Sequence, residues 1–190
     1  MPRPAIYLTR EADMIPRRSH NEPHPGEIEM QTRSGTKLAG RRLIAHIHDV
    51  LSESFKAFIE AQFMFFMATS DDEGRLDCNY RGGSPGFVKV MDGRTLLFPD
   101  YNGNGSYMSL GNLRVNPNVG MLFIDFETQR RLRVNGRAEI IEDAKVTAQF
   151  QGAERVIKVT VEQAFPNCSR YIHRMVRAGP LPTEIASVCA

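Results

Sequence analysis

Short apolar segments separated by turn-forming residues run through the middle of this 190-residue chain. Between residues 63 and 98 several such segments follow one another, and the connections between them are short and rich in Gly, Asp and Pro. Short connections join antiparallel neighbours, whereas parallel strands need a crossover of about a dozen residues or more. The pattern therefore predicts an antiparallel sheet. The alternation of strands with helices that a parallel sheet requires is absent from the sequence.

Two continuous apolar runs, at residues 63–68 and 119–124, predict strands that are buried on both faces, as in a closed barrel. Residues 131–140 instead alternate between apolar and polar side chains, and the polar face is strongly basic. A last alternating strand is predicted at residues 155–165. These hairpin-connected strands predict a mainly β protein, a small antiparallel β-barrel with flanking helices.

Residues 1–40 hold five of the eleven prolines and show no sustained period of helix or strand. We therefore predict an N-terminal arm over residues 1–40 and a barrel domain over residues 41–190. The isolated apolar residues Ile28 and Met30 suit an extended arm that lies on a partner subunit, and disorder of this segment is the alternative.

Apolar residues recur every three or four positions between Leu43 and Ile59, which predicts an amphipathic helix. Either Asp49 or Ser52 can cap a second helical segment, so we expect a break in the helix near one of them. A shorter helix is predicted to begin at Asp143.

The charge balance and the cysteines narrow the classes of function. There are 24 Lys and Arg against 22 Asp and Glu, so the net charge of +2 does not point to nucleic acid or an anionic membrane. The longest apolar run is far shorter than the ~18 residues that a membrane span needs. The three cysteines lie far apart without metal-ligand spacing, so we predict no metal site and a reducing, cytoplasmic location.

The glycine-rich segment RGGSPGFVKV, residues 81–90, is the first candidate for a binding site. Glycines such as Gly82 let a backbone approach a ligand closely, while Arg81 and Lys89 supply cations on or beside adjacent strands. A phosphate group matches this arrangement. On this segment alone, a hairpin with two solvated charges is the alternative.

The segment GNGSYMSLGNL, residues 103–113, separates two apolar segments that both predict buried strands, although a surface hairpin needs only about two to five residues. If residues 106–114 are helical, Ser106 and Ser109 lie near the N-terminal end, where free N–H groups and the helix dipole favour an anion. A capped helix that binds nothing is the alternative. Taken with the glycine-rich segment, the loop favours a phosphate site.

These segments, in their order along the chain, resemble the pyridoxamine 5′-phosphate oxidase-like proteins, which have an FMN-binding split β-barrel. The resemblance runs from about Phe58 to His173 and is carried by PGFV, SLGNL, NPNVGMLF, RLRVNGRA and FPNCSRYI. It implies an antiparallel split β-barrel with FMN as its cofactor. It also implies a homodimer with two FMN sites at the interface, each built from both subunits.

The resemblance further implies which residues contact the cofactor. The expected contacts fall into four groups: phosphate and ribityl contacts, flavin-pocket residues, residues against the ring or substrate, and residues that close the pocket. In that order they are Arg81, Lys89, Ser106 and Ser109; Asn104 and Asn112; Arg131 or Arg133; and Asn167 with Arg170. Gly82 is expected to bring the backbone close to the cofactor.

The chain departs from the vitamin B6-forming oxidases of this superfamily, because it contains no Trp and its last residues carry no Arg/Trp segment. No His, Cys or Tyr is marked by its setting as a general acid or base, so the catalytic residues stay unassigned. We therefore predict an FMN-dependent oxidoreductase, other than a true pyridoxamine 5′-phosphate oxidase, that acts on an unknown small substrate with reduced nicotinamide or another donor. The alternative is a non-catalytic module that binds or senses a flavin, a deazaflavin or haem. Haem is disfavoured because only His173 lies near the expected site.

Overall fold

A computed structural model describes residues 22–179 of the chain. Seven strands form one antiparallel sheet in the order β2-β1-β5-β6-β7-β4-β3. The strands are β1 (Met64–Ser70), β2 (Leu76–Gly82), β3 (Lys89–Val90), β4 (Thr95–Tyr101), β5 (Asn118–Asp125), β6 (Arg130–Ile141) and β7 (Ala153–Pro166). The helices are α1 (Pro25–Arg33), α2 (Lys37–Ile44), α3 (Glu53–Glu60), α4 (Met108–Val115) and α5 (Ala144–Thr147).

The longest strands, β6 and β7, follow the alternation of the sequence closely. On β6, Leu132 and Val134 are buried while Arg133 between them is exposed. On β7, Ile157 and Val159 are completely buried. Because the period of a strand is two, each of these side chains reaches the core only in this register. The predicted antiparallel, mainly β fold is confirmed.

The two ends of the sheet curl toward each other and form a split β-barrel. The rings of Phe65 on β1 and Phe98 on β4 lie 5.0 Å apart at an edge-to-face angle, and Phe123 lies 5.0 Å from Phe65 on its other side. Arg81 near one end of the sheet forms an ion pair with Asp100 on β4 near the other. No strand pairing joins β2 to β3 within residues 22–179, and this gap is the split.

The expectation that β1 and β5 are buried on both faces is wrong for one face. Phe65 and Met67 are completely buried, but Ala68 is exposed and both Phe66 and Leu122 are only half-buried. No layer of residues 22–179 covers this side fully, which is why an apolar run does not produce complete burial. We call this side the outer face; it consists of Phe66, Ala68, Leu76, Tyr80 and Leu122.

The segment predicted as an extended arm is helical where the structure describes it. The ring nitrogen Nδ1 of His24 accepts from the Glu27 N–H, and the Glu27 carboxylate accepts from the His24 N–H, which makes a capping box ahead of α1. Pro25 stands at the first helical position, where it is favoured. Residues 1–21 lie outside the described part, and α2 runs across the expected boundary at residue 40.

The expected break in the amphipathic helix is found, and it is longer than a single kink. α2 ends at Ile44, and α3 begins after Ser52, whose hydroxyl accepts from the Phe55 N–H. Between them, His48 exchanges backbone hydrogen bonds with Ala164 on β7. None of the helices within residues 22–179 is long and apolar enough to cross a membrane.

Candidate functional site

A polar cavity of about 250 Å³ lies where the inner face of β2 meets the end of β4 and the N-terminus of α4. We call it the α4 pocket. Side chains at alternate positions of β2 point into it, because their partners on β1 are core residues. The lining residues are Asp77, Cys78, Asn79, Arg81, Asp100, Tyr101, Gly103, Asn104, Gly105, Ser106, Tyr107, Met108, Ser109 and Leu110.

The loop that leads into α4 is shaped by local turn chemistry. The Asn104 side-chain oxygen accepts from both the N–H and the hydroxyl of Ser106, at 3.0 and 2.8 Å. Gly105 has a φ of +75°, a conformation in which glycine is favoured. The loop of small polar residues therefore brings backbone, rather than bulky side chains, to the mouth of the pocket.

The helix α4 begins without a side-chain cap. Tyr107 occupies the N-cap position in the left-handed region, with a φ of 50°, and makes no side-chain capping bond. The first N–H groups of a helix have no intrahelical acceptor, and here the residues Met108, Ser109 and Leu110 that carry them line the pocket. An anion is the ligand that such a helix end favours.

The left-handed Tyr107 is held by a side chain from β7. The guanidinium carbon of Arg155 lies 5.2 Å from the centroid of the Tyr107 ring. A left-handed residue other than glycine costs about 1–2 kcal/mol, and a cation–π contact contributes about 0.5–2 kcal/mol, so the two are of the same size. Burial alone would lower the pKa of Arg155, but its interactions with Glu154 and Tyr107 outweigh this and raise it.

A buried carboxylate connects two arginines at the floor of the pocket. Asp100 is only 4% exposed; its Oδ1 lies 2.9 Å from Nη1 of Arg81, and its Oδ2 lies 3.5 Å from Nη1 of Arg155. The Nε of Arg81 is buried and has no hydrogen-bond partner within residues 22–179. Buried donors are nearly always satisfied, so this N–H marks a place for an acceptor from a ligand or water.

Hydrogen bonds between β2 and α4 form one wall of the α4 pocket. Ser109 donates its hydroxyl to Asp77 at 2.8 Å and accepts from the Asn79 amide at 3.4 Å. The second oxygen of Asp77 can accept from hydroxyl groups of a ligand. Burial raises the pKa of Tyr101, so its phenol stays protonated as a donor. The pocket therefore combines donors for an anion with acceptors for hydroxyl groups.

A second cavity, of about 190 Å³, lies between α3, the start of β6 and the end of β7. We call it the α3 pocket. Arg131 and Asn167 line it, and the Nε of the first and the Oδ1 of the second are buried without a partner among the protein groups. Arg130 lies over the Phe58 ring at its edge, with the guanidinium carbon 5.1 Å from the ring centroid. The two cavities share no lining residue.

The structure brings together only part of the residues predicted for one site. Arg81, Asn104, Ser106 and Ser109 all line the α4 pocket. Lys89 does not: its ammonium group donates to the Gln149 carbonyl at 2.9 Å and lies 4.4 Å from the centroid of the Phe150 ring.

The other predicted residues are spread over the molecule. Arg131 and Asn167 lie in the α3 pocket. Asn112 donates to the Thr69 hydroxyl at 3.0 Å and ties α4 to β1, outside the lining of either cavity. The last three lie outside both linings as well: Gly82 next to the Tyr80 ring, Arg133 over the Phe165 ring, and Arg170 in the exposed segment after β7.

Several polar residues of the α4 pocket and its support were missed in the sequence: Asp77, Asn79, Asp100, Tyr101, Tyr107 and Arg155. Only Asp100 carries a local signal, because a charged residue that ends an apolar strand needs a buried partner. Its partner is set by the pairing of β4 with β7, where Asp100 stands opposite Arg155. That register cannot be read from either segment alone.

The fold is an antiparallel split β-barrel, and it has a polar pocket at the N-terminus of a helix. The sequence model of the pyridoxamine 5′-phosphate oxidase family matches residues 51–168, well over half of the chain. The chain belongs to this family. No curated protein matches its sequence.

Solved structures share the fold at low sequence identity. A Lactobacillus delbrueckii protein assigned as a pyridoxamine 5′-phosphate oxidase is 20% identical, with a TM-score of 0.51 over 62% of this chain and 95% of its own. HupZ of Group A Streptococcus is 20% identical, with a TM-score of 0.48 over 60% and 92%. HutZ, described as the haem storage protein of Vibrio cholerae, is 23% identical, with a TM-score of 0.44 over 60% and 93%.

Proposed function

We propose that this protein is an FMN-binding flavoprotein, an FMN-dependent oxidoreductase that acts on a small substrate. The observation that carries the proposal is the α4 pocket, where the unpartnered Nε of Arg81 and the uncapped N-terminus of α4 meet in one cavity. These groups fit the phosphate end of FMN. Asp77 and Asn79 offer hydrogen bonds to the hydroxyl groups of the ribityl chain.

The small size of the cavity supports a binding mode in which the flavin ring would stay outside it. Small-molecule sites usually enclose about 300–1,000 Å³, and the α4 pocket, at about 250 Å³, is smaller than this range. The phosphate and part of the ribityl chain would fill such a pocket. In this proposal the ring would remain outside the pocket, next to its mouth.

In this proposal the cofactor supplies the two-electron redox chemistry, and the chain supplies position and charge. Arg81 and the α4 N–H groups hold the phosphate, while Asp100 fixes the Arg81 guanidinium at 2.9 Å. The loop around Asn104 and Ser106 stands at the entrance. A reduced nicotinamide or another two-electron donor is the proposed reductant of the cofactor. The small substrate is the proposed acceptor of the two electrons.

The first test identifies the ligand. We expect protein purified under mild conditions to be yellow, and mass spectrometry of the ligand released by denaturation to give FMN. If the released ligand were a deazaflavin or haem, the proposal that the cofactor is FMN would be wrong. A colourless protein that takes up no FMN in a titration would reject it.

The second test separates two cations of the same glycine-rich segment. Arg81→Met is expected to weaken FMN binding by about 10- to 100-fold, because a charge-assisted bond contributes about 1–3 kcal/mol. Lys89→Met serves as the matched control and should leave the affinity unchanged, since Lys89 bonds Gln149 away from the pocket. Both affinities are measured by quenching of flavin fluorescence. A wild-type affinity of Arg81→Met would remove Arg81 from the site, and an equal loss in Lys89→Met would show that the effect is not specific to the α4 pocket.

We also propose that the protein is a homodimer formed through the outer face. Leu76 and Tyr80 on β2 are 84% and 56% exposed. Tyr80 stands opposite the half-buried Phe66, which stands opposite Leu122, while Leu76 lies further along β2 on the same face. Contiguous exposed apolar residues of this kind mark interaction sites. β2 carries this face on one side and Asp77, Asn79 and Arg81 on the other, so only the strand β2 would separate a second copy seated there from the α4 pocket.

This dimer predicts a selective effect of charge on the outer face. The double variant Leu76→Arg with Tyr80→Arg should be monomeric in light scattering after size exclusion, because it buries two cations in an apolar contact. The control is Met91→Arg, which changes an equally exposed apolar residue next to β3 at the opposite end of the sheet. A dimer that persists in the double variant would exclude the outer face as the interface.

A further inference from the structure

We propose that Arg155 is a positioning residue of the α4 pocket, which acts by holding Tyr107 in the left-handed turn that directs the free N–H groups of α4 into the cavity. The inference rests on the proposed function for its ligand, since the N–H groups are the proposed phosphate donors. Arg155 itself does not line the pocket.

The geometry shows how a side chain on β7 can control a loop beyond β4. The pairing of the two strands puts Arg155 opposite Asp100, with a bulge between Asp100 and Tyr101 immediately after it. The Arg155 guanidinium also forms ion pairs with Glu154 at 2.9 Å and with Glu142 at 3.6 Å, and these help to fix its position next to Asp100. Its planar face is then free to lie over the Tyr107 ring.

Tyr107 is the residue on which the start of α4 depends. It is the N-cap, and its carbonyl accepts the first helical hydrogen bond from the Gly111 N–H at 2.7 Å. Within residues 22–179 no side chain caps the helix. Ser109 in the first turn is bonded to Asp77, but this bond does not fix the backbone conformation of Tyr107 ahead of it. A tyrosine leaves the left-handed region readily unless its side chain is held, whereas glycine adopts that region freely.

Arg155 has a second route to the pocket, through Asp100 and Arg81. The two routes make different predictions for a double-mutant cycle between Arg155→Met and Tyr107→Gly. If Arg155 acts through Tyr107, Arg155→Met weakens FMN binding about tenfold in the wild-type background and less than about twofold in the Tyr107→Gly background, where the turn needs no support. An equal loss in both backgrounds would overturn the proposal and leave the route through Asp100.

A measurement without ligand tests the same inference when FMN is not the cofactor. Hydrogen exchange at the Gly111 amide reports the first turn of α4, and Arg155→Met should accelerate it about tenfold. Arg94→Met is the control: Arg94 is exposed and pairs with Asp49 away from the pocket, and its removal should not change exchange at Gly111. Unchanged exchange in Arg155→Met would overturn the proposal, whereas absence of FMN binding by the wild type would reject only the proposed function.

Discussion

Replacement of Gly136 by Ala is expected to lower the free energy of unfolding by about 4 kcal/mol, one of the largest effects that a single methyl group can have. A Cβ at this position would lie 2.1 Å from the carbonyl oxygen of Thr160 and 3.0 Å from its carbonyl carbon. Both are backbone atoms of the neighbouring strand, so no side chain can move away to make room. The pair of strands would have to separate where β6 and β7 are bulged.

Urea denaturation followed by circular dichroism measures this effect. Gly120→Ala is the matched control, because Gly120 lies on the adjacent strand β5 and an added Cβ would meet side chains at ordinary distances, Asn135 at 3.4 Å and Ala68 at 3.9 Å. We expect that control to change stability by less than about 1 kcal/mol. A Gly136→Ala protein as stable as the control would show that the two strands yield easily at the bulge.

The same position shows which part of the fold the sequence could predict. The alternation on both sides of Gly136 is local, and it places Val134 and Ala138 inward without knowledge of any other strand. The strands were therefore predictable from pattern alone. The close approach of Thr160 depends on which strand lies beside β6 and in which register, and neither is encoded in the alternation.

The N-terminal helix α1 was missed by the sequence prediction for a different reason. His24, Pro25 and Glu27 form a capping box that is present in the sequence, but α1 buries no residue and so shows no apolar period. A prediction that relies on periodicity misses a helix whose signal lies in its cap. The helix α3, by contrast, buries Phe58 and Ile59 and was predictable from its recurring apolar residues.

The candidate site was predictable to the extent that its residues are neighbours in sequence. Ser106 and Ser109 lie near one helix end, and Arg81 lies on the glycine-rich segment, so both parts were found. Their common pocket depends on the curl of the sheet, which carries Arg81 to Asp100. The same curl leaves Lys89 on another surface, because β3 pairs only with β4 at the far edge.

The ion pair that closes the sheet leads to the second large effect. Arg81→Met is expected to lower the free energy of unfolding by about 3 kcal/mol, since removal of one partner leaves a buried charge with incomplete compensation. The Asp100 side chain is 6% exposed and the Arg81 side chain 16%, so water compensates the carboxylate less well than the lost guanidinium did. Arg155 remains near Asp100, but at 3.5 Å it makes the weaker of the two contacts.

A second substitution separates the structural role of Arg81 from its role in binding. In the double variant Arg81→Met with Asp100→Leu, the uncompensated carboxylate is gone, and most of the lost stability should return in urea denaturation. FMN affinity should stay as low as in Arg81→Met alone, because the Nε donor is still missing. Recovery of both stability and affinity would mean that Arg81 only supports the barrel and does not hold the phosphate. Recovery of neither would mean that the buried charge is not the cause of the instability.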